Sequence, residues 1–367
     1  MDGSSLINLA QVLLVLILVL VSANMYLIFR LKDIDPFKRW NPHNINGGAL
    51  MVFFIVGLIA ATWSSIAWAD KFILVNDSAS VHGDDLDQMF WITMAIALFV
   101  TIVTNALLFY YSWKYRYNPK RKALYYPHNN TLELAWTLVP AVVLTLLIFR
   151  GVIVWHSIMD MPDKAEINEI RANGGKFVEF EVNGRQFAWD VRYPGIDLEY
   201  GQTNVAYIDE GAGNVLGFNF EDKKGLDDVI TDEIWLPVDV PVKMTIRSRD
   251  VLHSATLAHF RVKMDAVPGM PTFFYFTPQE TTAERREKTG DDKFDYEMSC
   301  QQICGGGHWN MRRKVVVVEW DEYQEWLAKQ KPLYDVYKEL NGLTDAGVDG
   351  TAESIATVDQ EAEIASN

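Results

Sequence analysis

Cys300-Gln-Gln-Ile-Cys304-Gly-Gly-Gly-His308-Trp-Asn-Met311 holds both cysteines of this 367-residue chain, together with a run of three glycines, a histidine and a methionine. Three chemistries compete for these side chains. A disulfide is the default for two cysteines outside the cytoplasm, but a bridge across so short a loop removes little chain entropy. A zinc site of two Cys and two His is the second, although a thioether is a soft donor that suits copper or iron–sulfur better. The third is copper, held by a β-sandwich whose C-terminal loop gives Cys, His and Met while a distant strand gives one more His.

Asp250-Val-Leu-His253-Ser supplies that distant residue, because His253 follows an apolar strand pattern over Val242 to Arg247. His259 falls inside another strand pattern and reads as a surface or satisfied histidine, not a ligand. One thiolate suffices for a single electron-transfer copper. Two thiolates, two imidazoles and a thioether ask for two copper ions bridged by the sulfurs.

The surroundings say which side of a membrane this loop occupies. Leu6 to Phe29, Ala49 to Trp68, Met89 to Trp113 and Leu134 to Trp155 are each apolar and long enough to cross a hydrocarbon core of about 30 Å. The first reads as a retained helix and not a secretory signal, since it opens Met-Asp-Gly-Ser-Ser without a basic region and its apolar run is too long. Arg30, Lys32, Lys38 and Arg39 lie in the first connection, and Lys114, Arg116, Lys120, Arg121 and Lys122 in the third, whereas Asp77, Asp84, Asp85 and Asp87 mark the second. Basic short loops stay cytoplasmic, so both termini and everything beyond Trp155 face outward. The sulfur loop is therefore expected on the extracytoplasmic side, in a bacterial-type inner membrane.

Residues 157–367 carry 39 acidic against 22 basic side chains, a face that repels nucleic acid and attracts cationic proteins. After an amphipathic stretch, His156 to Ala172, come short runs of β-branched and aromatic residues: Lys176 to Val182, Gln186 to Tyr193, Glu233 to Leu236, Val242 to Arg247, Leu257 to Met264, Thr272 to Thr277, Asp295 to Ser299 and Lys314 to Glu319. Asn183-Gly184 is a hairpin signal between the first two. Such spacing predicts an all-β sandwich or barrel. Asp321 to Lys331 opens with acids and closes with lysines, as a helix dipole favours, and from Asn341 the acid-rich chain without aromatics reads as a disordered tail. The expected organisation is a transmembrane hairpin over 1–88, a second over 89–156, an outward β domain with a C-terminal helix over 157–340, and a tail over 341–367.

These motifs resemble subunit II of the haem-copper cytochrome c oxidases, the subunit with the dinuclear copper A centre. The family pattern Cys-x-Glu-x-Cys-x3-His-x2-Met is filled by Cys300, Cys304, His308 and Met311, and Asp250-Val-Leu-His253-Ser with Lys263-Met-Asp265-Ala-Val-Pro268-Gly269 matches its upstream segments. Glu133-Leu-Ala-Trp136-Thr-Leu-Val-Pro140, followed by Arg150, looks like the family's second membrane helix. The resemblance covers roughly 89–331. Beyond the four transmembrane helices read from the apolar stretches, it implies a cupredoxin-like sandwich in which Cys300 and Cys304 bridge two coppers, His253 and His308 each cap one, Met311 binds weakly and the Gln302 carbonyl completes the set.

It also implies a function and partners. Electrons arrive from a donor cytochrome c and leave for haem a in subunit I, which holds haem a3 and copper B as well, in a proton-translocating oxygen reductase that also contains subunit III. This chain is not catalytic alone. Glu133 corresponds to the mouth of a proton path into subunit I. Where the family has Glu between the cysteines, binding magnesium at the subunit I junction, Gln302 offers no carboxylate. Its aromatic patch Gly-His-Gln-Trp-Tyr-Trp, whose first Trp takes the electron, here reads Gly184-Arg-Gln-Phe187-Ala-Trp189, so Phe187 or Trp189 receives electrons. The first two helices are additional to the family's pair. A membrane-tethered copper carrier outside an oxidase is the alternative, and it would need neither Glu133 nor the paired helix motif; quinol oxidase subunits of this fold lack the copper ligands. No Cys-x-x-Cys-His occurs, so the chain attaches no c-type haem and haems reside only in partners.

Overall fold

A computed structural model describes residues 19–24, 27, 42–73 and 77–343. Among them three helices are long and apolar enough to cross a membrane: α1 (Pro42–Ala67), α2 (Val81–Lys114) and α3 (Asn130–Met159), with mean hydropathy of 2.2, 2.3 and 2.3. The span expected at 6–29 lies outside the described residues apart from 19–24 and 27, which are helical, and the expected tail lies outside them from 344 onward. Each observed helix is longer than its apolar run. Polar residues at the ends, such as Asn130 and Asp84, continue the helix beyond the width of a bilayer core.

One compact unit joins α1 to the inner half of α2. Phe54 stacks on Phe109 at 5.1 Å, and Gly47 lets α1 approach Trp113 and Arg116 closely, since a Cβ there would lie 3.1 Å from the Arg116 Cδ. The other unit contains the outward domain, together with residues 70–93 and the rest of α3. In it the chain before α2 runs along the sandwich. Ala79 N–H donates to the His259 carbonyl at 2.8 Å, Val81 N–H to Thr277 at 3.1 Å, and the Arg261 guanidinium grips Asp87 through two bonds of 2.7 and 2.8 Å.

After the short helix α4 (Lys164–Ala172), closed by an Asp163–Glu166 capping box, the domain is a sandwich of two five-stranded sheets. Its strands are β1 (Val178–Arg185), β2 (Ala188–Tyr193), β3 (Val229–Thr231), β4 (Ile234–Pro237), β5 (Val242–Ser248), β6 (His253–Leu257), β7 (Val262–Ala266), β8 (Thr272–Phe276), β9 (Tyr296–Cys300) and β10 (Arg312–Val318). The orders are β3-β2-β1-β5-β8 and β4-β10-β9-β6-β7. Alternation along the strands turns Phe180, Val182, Met244 and Ile246 inward against Leu257, Met298, Val315 and Val317, all buried. Each such side chain contributes about 1.5–3 kcal/mol. Helix α5 (Thr282–Thr289) crosses from β8 toward β9, and α6 (Trp320–Ala328) and α7 (Leu333–Asn341) follow β10.

Two local expectations are corrected, and one helix is added. Asn183-Gly184 is no turn: both residues lie within β1, and the hairpin turns at Gln186-Phe187. The single strand expected over Leu257 to Met264 is two, split by a 3-10 turn at Ala258–Phe260 that ends on Arg261 in the left-handed region, φ 57°. Helix α7, which the sequence reading does not single out, packs Leu333 against Leu216 and Phe218 of the long β2–β3 connection. The same connection is held from below by Arg192, whose guanidinium lies between the Tyr200 and Phe218 rings and donates to Glu181 and Asp228.

Candidate metal centre

β9 ends at Cys300 and β10 begins at Arg312, so residues 301–311 form the loop between two paired strands, while β6, paired to β9, begins at His253. Sheet register therefore delivers the distant histidine to the cysteine loop. Cys300 N–H donates to the Met311 carbonyl at 3.1 Å, and Gln301 N–H to Ser254 at 3.1 Å, which closes the loop back onto the sheet.

Five of the expected side chains and one carbonyl converge. The ligand atoms of His253, Cys300 and Cys304 all lie within 4.8 Å of one another. His253 Nδ1 is 3.9 Å from Cys300 Sγ, and His308 Nδ1 is 3.6 Å from Cys304 Sγ. Met311 Sδ stands 3.3 Å from Cys304 Sγ, and the Cys300 thiol donates to the Gln302 carbonyl at 3.2 Å. The cysteines are free thiols, so the disulfide reading fails. His253, both sulfurs and Met311 are buried.

Burial, with the adjacent Cys300, pushes the Cys304 thiol up to about 11. Two thiolates this close are stable only with cations between them, and the thioether makes the set soft, which suits copper. The described geometry fits that metal. It offers two sulfurs and two Nδ1 nitrogens pointed at them, with the far nitrogen of His253 already fixed: Nε2 lies 2.8 Å from Asp250 Oδ1.

Asp250 is the residue that sequence reasoning named only as part of a motif. Burial pushes its carboxyl up, but bonds from Gln186 N–H, the His253 ring and Val251 N–H outweigh that and hold it low. Carboxylate–histidine pairs of this kind fix the tautomer and orientation of a metal ligand. The signal was legible, as an Asp three residues before the ligand at the mouth of a strand.

The aromatic patch is split by depth. Phe187 is 40 % exposed and lies against Gly305 and Gly307, where a Cβ would meet its ring at 2.8 and 2.4 Å. Trp189 is completely buried, its ring 5.7 Å from that of His253 and edge-on to it. Of the two expected residues, only Phe187 reaches solvent. Gly184, beneath them, has no room for a side chain, since a Cβ would lie 2.9 Å from both His253 and Trp189.

The remaining expected residues lie elsewhere. Gln302 is exposed and gives the loop an amide with no carboxylate. Glu133 stands in the first turn of α3. His259 sits edge-on to Phe294 and Tyr296, away from the sulfurs, and burial, helped by Arg285 and Arg261, pushes it down to about 4.

Comparison with known proteins places these residues in a family. The model of the cytochrome c oxidase subunit II transmembrane domain matches residues 67–152, and that of the periplasmic domain matches 180–319. The alternative cytochrome c oxidase subunit 2 of Bradyrhizobium diazoefficiens is 32 % identical over 250 residues, covering 68 % of this chain and 79 % of the relative. Cytochrome c oxidase subunit 2 of Cereibacter sphaeroides is 27 % identical over 276 residues, covering 73 % and 77 %. The domain that carries the sulfur loop is the periplasmic one, and α2 and α3 before it are the membrane domain: this chain belongs to the cytochrome c oxidase subunit II family.

Proposed function

We propose that this chain is the subunit through which electrons enter a terminal oxidase, holding a dinuclear copper A centre outside the membrane. The observation that carries the reading is the convergence of two sulfurs, two Nδ1 nitrogens, a thioether and a carbonyl on one buried spot. Cys300 and Cys304 would bridge two coppers, His253 and His308 would each cap one, and Met311 and the Gln302 carbonyl would complete the set. Copper in this setting supplies one-electron redox chemistry. The chain's own residues supply rigidity: β6, β9 and β10 fix the donors, so little moves when the charge of the site changes.

Phe187 gives a donor cytochrome c a surface contact directly over the glycines of the sulfur loop, and Trp189 packs the His253 ring from below. Electrons then pass to haem a of subunit I, which with haem a3 and copper B reduces oxygen while protons are translocated; subunit III completes the complex. Glu133, at the opposite end of α3 from the domain, serves as the mouth of a proton path. Gln302 argues against a magnesium ion at the subunit I junction, because a neutral amide replaces the hard carboxylate donor. Both termini would lie on the outer side, and α1 is a membrane helix additional to the matched pair. A membrane-tethered copper carrier outside an oxidase is disfavoured by the match to the subunit II transmembrane domain, whose paired helix motif such a carrier would not require.

The test is purification of the full chain from its native membrane. Haem a absorbance and a large polytopic partner should copurify, and reduced cytochrome c should reduce the preparation in a single fast phase that Phe187→Ala slows without loss of copper. Isolation of the chain alone, with copper but without haem, would overturn the oxidase assignment.

A further inference from the structure

The connection between α2 and α3 carries a chemistry that the copper centre does not use. Residues 114–122 contain Lys114, Arg116, Lys120, Arg121 and Lys122, and no carboxylate follows until Glu133. Among the described residues none of these five cations forms an ion pair with an acid. Arginines of the outward domain behave oppositely: Arg185, Arg249 and Arg286, for example, each hold an acid within 2.8 Å.

Two of the cations are held in place. Arg116 donates from Nε to Asn44 of α1 at 2.6 Å and from Nη1 to the Trp113 carbonyl at 2.7 Å, with its plane over the Trp113 ring at 5.3 Å. Arg121 folds back to donate from Nη2 to the carbonyls of Lys114 and Arg116 at 2.9 and 2.8 Å, stacked over Tyr115 at 5.4 Å. Each guanidinium is thus fixed on one edge, and no hydrogen bond among the described residues takes Arg116 Nη2 or Arg121 Nη1. Immediately after them Leu124, Tyr125 and Tyr126 are 88 %, 87 % and 68 % exposed.

Orientation of the helices needs only the positive charge of this loop. It does not need two anchored guanidiniums, nor an apolar and aromatic tripeptide held out of every packed core. Both are what an interfacial lipid site requires: donors for a phosphodiester and amphipathic rings at headgroup depth. We propose that residues 114–126, with Asn44 of α1, form a binding site for an anionic phospholipid of the leaflet opposite the copper domain. The site gives the additional helix α1 a task, since Asn44 is what positions Arg116.

The experiment uses the assembled oxidase in nanodiscs of phosphatidylcholine with phosphatidylglycerol, followed by detergent extraction and native mass spectrometry. Wild type should retain about threefold more phosphatidylglycerol than the Lys120→Gln, Arg121→Gln, Lys122→Gln variant, since each cation at the surface adds attraction. Lys120→Arg with Lys122→Arg should retain it as wild type does, and Leu124→Ser with Tyr125→Ser and Tyr126→Ser should lose part of it. Wild type alone, needing no variant, should release the lipid as salt rises to about 0.5 M, where screening reaches only a few ångström. Equal retention by the glutamine variant would overturn the proposal, as would salt-insensitive retention in wild type. Displacement of phosphatidylglycerol by inorganic phosphate that stabilises the complex equally would also overturn it, by showing a free-anion site.

Discussion

Asp250 Oδ1 lies 2.8 Å from Nε2 of His253, and this places His253 Nδ1 toward the sulfur of Cys300. Removing that carboxylate frees the ring to rotate and leaves the buried Nε2 without its acceptor. Asp250→Ala should weaken copper binding by about 10- to 100-fold, the usual effect of losing such a partner, with the sandwich still folded. Competition against a copper chelator, with circular dichroism as the folding control, measures this.

Gly184 and His253 are in contact across the sandwich, with no space for a methyl group between them. Gly184→Ala must push either the ligand ring or Trp189 out of place, and Trp189 is enclosed on all sides. Overpacking of this kind costs about 1–3 kcal/mol. Thermal unfolding should show that loss, and the copper absorption band should shift, because the displaced group is a ligand.

His259 sets part of the pH dependence of the domain. Burial holds its folded value near 4, below the 6.5 of a free imidazole, so between these values the unfolded chain binds a proton that the folded chain refuses. Stability contributed here is complete above about 6.5 and is lost as pH falls toward 4. Denaturant titrations of the full chain at pH 7, 6 and 5 should show a decline that His259→Gln flattens. An unchanged slope would mean that other groups dominate acid unfolding.

Much of this was legible because spacing and sheet register report the same thing. A ligand at the mouth of one strand and four more in a loop between two others is a pattern that periodicity alone can place. What sequence could not fix was depth. Phe187 and Trp189 lie two apart in one strand pattern, yet the hairpin turns at Gln186-Phe187 and lifts Phe187 onto the glycine loop while Trp189 stays in the core. Asn183-Gly184 misled for a related reason: its glycine answers a close approach of His253 and not a turn. Helix α5 went unseen because Thr-Ala-Glu-Arg-Arg-Glu-Lys-Thr has no apolar period, although its Thr281–Glu284 capping box was readable. Helix α7 owes its place to Leu216 and Phe218, far away in the chain.

The most direct measurement is metal content with electron paramagnetic resonance on the purified protein. Two copper ions per chain sharing one unpaired electron, with the signal lost in both Cys300→Ser and Cys304→Ser, is the result expected from a sulfur-bridged pair. A single copper with an ordinary mononuclear spectrum, or zinc bound in its place, would contradict it.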